Sequence, residues 1–287
     1  MLALALMWGL SIPVTKYGLE TMPPLTLTAV RFAVAVPLLL ILTIGRKRLA
    51  WNAVPAVAAL GVLGIGIGQV AQTFGVAGTS ASVGTIISAT IPVFIVFFAA
   101  LRLKQKISRL QLIGLVAAFA GITVVASGDG DIAATTTIVG PVWMIVSALA
   151  IAFYYVWSVE LTNRYGTIVV AAWSTFFGFI ALLPWAGWEA YHAPFQITGG
   201  ALGAAAYLGV VVTALGLFLW LHILRGVPAG VAASVQYLQP VFGIIASSLI
   251  FGDLIGSKFI LGVVCILAGL ALAMKTPKRP NDNVENL

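Results

Sequence analysis

Pro92 and Pro240 each interrupt a long apolar run, and each follows a polar residue by four positions, Ser88 and Gln236. A proline inside a helix has no N–H to give, so the carbonyl four residues earlier loses its partner. In hydrocarbon an unpaired carbonyl is costly, so the backbone at Ser88 and Gln236 must face protein, water or a ligand. Tyr237 and Gln239 stand beside Gln236. Gln69 and Gln72 lie three residues apart in another apolar run, on one helical face that lipid would not tolerate. Trp8, Tyr154 and Trp157 add rings with polar handles, Tyr154 and Trp157 sharing a face. The chemistry open to such a set is recognition, with amides and hydroxyls for a polar head and rings for an apolar body. Substrate binding is therefore expected at Gln236, Tyr237, Ser88, Gln69, Gln72, Trp8, Tyr154 and Trp157, with Pro92 and Pro240 as hinges. The competing reading is helix packing and interhelical hydrogen bonding.

Covalent chemistry is missing from the pattern. No HExxH and no Gly-x-Ser-x-Gly occurs, and all eight Asp and Glu fall at the ends of apolar runs, in loops or in the tail. An enzyme is not expected. His192 and His222 have no metal-ligand company, so neither metal nor cofactor is expected. A proton-coupled antiporter of cationic drugs would want a carboxylate at mid-membrane, and none is present. Lys16 and Arg31 fall in the outer halves of the first two apolar runs. They are expected to snorkel to the outer interface; the alternative is that they attract a substrate carboxylate or gate the exit. Glu160 and Arg164 are spaced as a helical i, i+4 pair.

The elements that carry these residues must be membrane helices. The chain is 61% hydrophobic and 8% charged, with mean hydropathy +1.10, against about 25% charged in an ordinary soluble domain. The expected partner is the lipid bilayer, and the net charge of +7 reflects topology rather than nucleic-acid binding. A single cysteine, Cys265, excludes an internal disulfide. Nothing in residues 1–14 reads as a signal peptide. Ten apolar spans are expected, at 2–20, 25–44, 53–76, 80–101, 109–127, 140–160, 168–188, 200–223, 230–251 and 257–274, each near the ~20 residues that cross the hydrocarbon. With ten spans, all Lys and Arg except Lys16, Arg31 and Lys258 lie on one side, which places both termini in the cytoplasm. Residues 276–287 read as a disordered cytoplasmic tail. Trp51, Trp143, Trp185, Trp188 and Tyr191 fall at span ends, as an interfacial belt would.

Residues 78–121 recur without gaps at 226–269, an offset of 148. The copies share Gly78/Gly226, Pro92/Pro240, Val93/Val241, Phe94/Phe242, Gly114/Gly262 and Gly121/Gly269, among other pairs. Five spans per copy is an odd number, so the second copy must be inverted. The loop after the fourth span is basic in the first copy (Arg102 to Lys106) and acidic in the second (Asp253), as opposite membrane faces require. The expected fold is an all-α integral membrane protein, ten transmembrane helices in two inverted five-helix repeats around a central cavity. The repeats are residues 1–137 and 138–275. The glycines at 61, 64, 66 and 68, and the pairs 114/121 and 262/269, read as packing stripes.

Trp8-Gly9 with Lys16, Pro23-Pro24-Leu25 with Arg31, Pro92-Val93-Phe94 with Gly114 and Gly121, and the second copy Pro240-Val241-Phe242, Gly252-Asp253, Gly262 and Gly269 resemble one family in this order. It is the drug/metabolite transporter superfamily, in its ten-helix, EamA-like metabolite-exporter branch, and within that the YddG-type amino-acid exporters. The family often has Gly-Glu after the fourth span, where this chain has Lys104-Gln105. The resemblance implies a monomeric multi-pass exporter in the bacterial inner membrane, moving small molecules, amino acids including aromatic ones, by alternating access. A nucleotide-sugar, phosphate-ester or drug carrier of the same fold is the alternative.

Overall fold

The computed structural model describes residues 2–103, 108–127, 138–219, 234–253 and 255–273, and within them the secondary structure is helical. Helices α1 (Leu2–Gly9) and α2 (Ser11–Gly18) follow one another closely. Pro24 sits in the first turn of α3 (Pro24–Ile41), where a missing N–H costs nothing. Helices α4 (Val54–Leu60) and α5 (Ile67–Ala77) are joined by a π-helical turn, Gly61–Gly66. Next come α6 (Ala81–Ser88), α7 (Ile91–Leu103), α8 (Arg109–Ser127), α9 (Val139–Trp157), α10 (Val159–Tyr165) and α11 (Thr167–His192). Helix α12 (Gly199–Ala206) runs into a second π-helical segment, Tyr207–Leu215, and α13 (Ser234–Phe251) and α14 (Ser257–Ala273) complete the set. Ser80 and Thr198 cap α6 and α12 by accepting the N–H groups of Val83 and Ala201. Gly166, at φ 88°, makes the left-handed corner between α10 and α11.

Among the described residues, six segments are long and apolar enough to cross a membrane: Pro24–Ile41, Trp51–Ala77, Ala81–Arg102, Val139–Trp157, Thr167–His192 and Gly199–Leu219. Arg109–Val125, Leu238–Phe251 and Ser257–Leu272 are shorter apolar helices. The outer surface is apolar, with Ile41, Leu101, Val116, Leu249 and Leu261 all exposed. Trp51, Trp143, Trp185, Trp188 and Tyr191 are exposed.

Glycines set how closely the helices approach. A Cβ on Gly121 would lie 2.7 Å from the Gly262 carbonyl, and one on Gly269 would meet the Gly114 carbonyl, so α8 and α14 touch backbone to backbone. A Cβ on Gly61 would collide with the Ser174 carbonyl of α11, and one on Gly209 would lie 2.7 Å from the Arg31 carbonyl of α3. Helix α9 packs on α5 and α7, while α2 packs on α12 and α1 on α13. Three further pairs, α3 with α11, α6 with α13 and α8 with α14, join the earlier part of the chain to the later.

Candidate functional site

Within the bundle lies a cavity of about 410 Å³. Its wall comes from α1 and α2 (Trp8, Ser11), α3 (Arg31), α5 (Gln69, Gln72) and α6 (Thr85, Ser88). It continues through α9 (Tyr154, Tyr155), α11 (Thr175), the second π segment (Val212, Thr213) and α13 (Gln239, Pro240). Ser158, Thr162 and Thr167 extend it past the end of α9, toward the turn that holds Arg164.

The structure brings Trp8, Gln69, Gln72, Ser88, Tyr154 and Pro240 together on that wall. Gln236 and Tyr237 occupy the first turn of α13, and their side chains lie outside the described residues. Pro92 is the second residue of α7 rather than a mid-helix kink. The run 80–101 breaks at Ala89 and Thr90, and Pro92 opens a new helix where no N–H is needed. Pro240 remains inside its helix. Trp157 lies off the cavity wall, its ring stacked on Phe153 at 4.6 Å and edge-on to Phe98 at 5.5 Å. Tyr155, one residue beyond Tyr154, takes a place on the wall instead. Close backbone contacts in this region bring rings inward, since a Cβ on Gly64 would overlap Tyr154 Cβ at 2.5 Å.

Both π segments bear on the site. A π turn disturbs the regular carbonyl ladder and leaves acceptors for side chains. In the second segment, Trp8 Nε1 donates to the Val212 carbonyl at 3.1 Å, and Thr213 Oγ1 donates to the Leu208 carbonyl at 2.8 Å. Tyr207 donates its hydroxyl hydrogen to the Met7 carbonyl at 3.0 Å. The Trp8 and Tyr207 bonds fasten α1 to the later part of the chain beside the cavity.

The expectation that Arg31 snorkels is overturned. Its side chain is buried, 8% exposed. Nη1 donates to Gln69 Oε1 at 2.7 Å, and Nε and Nη2 donate to Thr213 Oγ1 at 3.3 and 3.1 Å. Depth along the helix was legible, but the direction of the guanidinium follows from where α5 and the π segment pass. Lys16 is only half-buried and reaches the end of α5, its ammonium donating to the carbonyls of Val76, Ala77 and Thr79 at 3.0, 3.3 and 2.7 Å. It thereby caps the C-terminal end of α5, where a cation is favoured. Glu160 approaches Arg102 at 3.9 Å, and Arg164 lies over the Tyr165 ring. Two further carboxylates, Glu189 and Asp253, cap helices. Glu189 Oε2 accepts from Thr26 N and Oγ1 at 2.7 and 2.9 Å, and Asp253 Oδ2 accepts from Ser82 N at 2.9 Å.

Among the described lining residues, Arg31 is the only cation and no carboxylate is present. The site can therefore hold a small solute through one fixed positive charge, amides, hydroxyls and rings.

Known proteins agree with a transport role. A protein of Archaeoglobus fulgidus named an uncharacterized transporter is 25% identical over 93% of this chain and 95% of its own length. The Bacillus subtilis uncharacterized transporter YetK is 25% identical over 95% of this chain and 85% of its own length. A protein of Streptantibioticus cattleyicolor named a probable terminal-alkyne amino-acid exporter is 24% identical over 92% and 89%. One solved crystal structure superposes with TM-score 0.65, covering 95% of this chain and 94% of that one at 18% identity, which speaks to the fold alone. The family model for EamA-like transporters matches residues 1–127 and again 138–275. With nearly its whole length matched, this multi-pass membrane protein is a transporter that belongs to the EamA-like transporter family.

Proposed function

We propose that this transporter exports amino acids, aromatic ones among them, from the cytoplasm by alternating access. The observation that carries the reading is the cavity, about 410 Å³ in volume and walled by residues from both the earlier and the later part of the chain. Its one cation suits a carboxylate, its amides and hydroxyls suit an ammonium group, and Trp8, Tyr154 and Tyr155 suit an apolar side chain. Ser88, Gln69, Gln72, Trp8 and Tyr154 contact the solute in this reading, with Gln236 and Tyr237 on the turn leading to Pro240. The relative named as an amino-acid exporter points the same way.

Two inverted five-helix halves, 1–137 and 138–275, are part of the proposal. Several observations support them. The family model matches twice, on either side of residues 128–137. The π segments obey the repeat offset, because 61–66 shifted by 148 gives 209–214, inside Tyr207–Leu215. Their packing is reciprocal: Gly61 meets α11, Gly209 meets α3, and α3 lies against α11. Helix α9 contacts α5 and α7 much as α1 and α2 contact α13 and α12. Ten spans with both termini in the cytoplasm follow from the same arrangement. Rocking of such halves would open the cavity to each face in turn. A phosphate-ester solute would need more than one lining cation, and Lys16 is engaged elsewhere.

Efflux of labelled amino acids from proteoliposomes, against protein-free liposomes, tests the substrate class. Faster release of at least one aromatic amino acid is expected. Equal release with and without protein across the whole panel would refute it.

A further inference from the structure

Arg31 is a buried charge whose partners are all neutral. Gln69 and Thr213 accept from it on either side, one from α5 and one from the second π segment. No carboxylate appears among the described residues lining the cavity. Glu189 and Asp253 are engaged elsewhere, Glu189 with α3 at Thr26 and Asp253 with α6 at Ser82. A guanidinium removed from water without a counter-charge is expensive, and hydrogen bonds to neutral groups offset only part of that cost. An ionised side chain inside a membrane protein that faces a cavity points to a solute path.

The guanidinium has five N–H groups. Gln69 engages one on Nη1, and Thr213 engages Nε and one on Nη2. Among the described residues, each terminal nitrogen thus keeps one N–H without a protein acceptor. Two N–H donors on one planar cation are what a carboxylate matches, and an ammonium group cannot use them.

We propose that Arg31 docks the carboxylate of the transported solute and supplies the selectivity of the site, admitting carboxylates and zwitterions and excluding amines and amides. The solute brings the missing negative charge. The inference rests on the cavity being the solute's path, as in the reading above, and adds the chemical requirement. A single cation balances a single carboxylate, while a dianionic phosphate would leave one charge uncompensated in the cavity. The rival account makes Arg31 a cross-link between α3, α5 and the π segment, indifferent to the charge of the solute.

The test uses the purified full-length protein in detergent and matched ligand pairs: phenylalanine with phenylalaninamide, tryptophan with tryptamine, and phenylacetate with phenylacetamide. Affinities come from titration calorimetry. For the wild type, the carboxylate member of at least one pair should bind on the order of tenfold to a hundredfold tighter, the range of a charge-assisted hydrogen bond. Arg31→Gln should bring that ratio near one, and Arg31→Lys should keep part of it. Equal affinity within every pair, or no binding by any carboxylate, overturns the proposal. If Arg31→Gln does not fold, the wild-type ratios decide alone. A preference for phenylacetate with no amino acid bound would sink the amino-acid reading and keep Arg31 as the anchor. Transport of phenylalanine and its amide at equal rates would do the reverse.

Discussion

At the scale of single residues, the site depends on side chains bonded across helices that are distant in sequence. Trp8 illustrates it, with its indole N–H on the Val212 carbonyl 204 residues away. Trp8→Phe keeps a ring and removes the donor to the Val212 carbonyl. The expected loss is about 1 kcal/mol, read as a fall of about 2–4 °C in the unfolding midpoint in detergent. An unchanged midpoint would mean that this bond does not hold α1 to the π segment. The polar and aromatic candidates Trp8, Ser88, Gln69, Gln72 and Tyr154 were legible because lipid forbids such groups outside. Arg31 was legible as a charge at depth with two readings left open, because the partners that decide between them, Gln69 and Thr213, are 38 and 182 residues away. Trp157 and Tyr155 exchanged roles for a related reason, since a sequence shows which residues share a face but not which neighbour that face meets.

At the scale of elements, glycine contacts and π turns fix the wall. The pair α8 and α14 has backbone against backbone at Gly121 and Gly262, where an added Cβ on Gly262 would lie 2.9 Å from the Gly121 carbonyl and closer still to Val125. Gly262→Val should destabilise by about 1–3 kcal/mol through overpacking. Gly203→Ala is the control, since a Cβ there meets nothing within 4 Å, and its midpoint should hold or rise slightly. Thermal unfolding followed by size-exclusion chromatography compares the two; an equal response would show that close approach does not set the α8–α14 interface. These stripes were readable from glycine spacing. The π segments were not, because Gly61–Gly66 and Tyr207–Leu215 have unlike compositions and a widened turn leaves no hydropathy signature. The break at Ala89–Thr90 was misplaced by a few residues, because a proline favours a helix start as readily as it forces a kink.

At the scale of the whole molecule, hydropathy made a helical membrane protein legible, and the offset of 148 pointed to the two halves of the proposal. The cavity itself came from packing, since its wall draws on residues from Trp8 to Pro240. The account's central claim is that this cavity opens to each side of the membrane in turn. Cys265 is the sole cysteine, so Cys265→Ser gives a clean background for one new thiol at Thr85, on the wall. The decisive measurement labels the Thr85→Cys protein with a membrane-impermeant thiol reagent, applied to oriented vesicles from one face and then the other, with and without aromatic amino acid. The account predicts labelling from both faces, slowed from either by the solute. Labelling from one face only under every condition, or none from either, would contradict it.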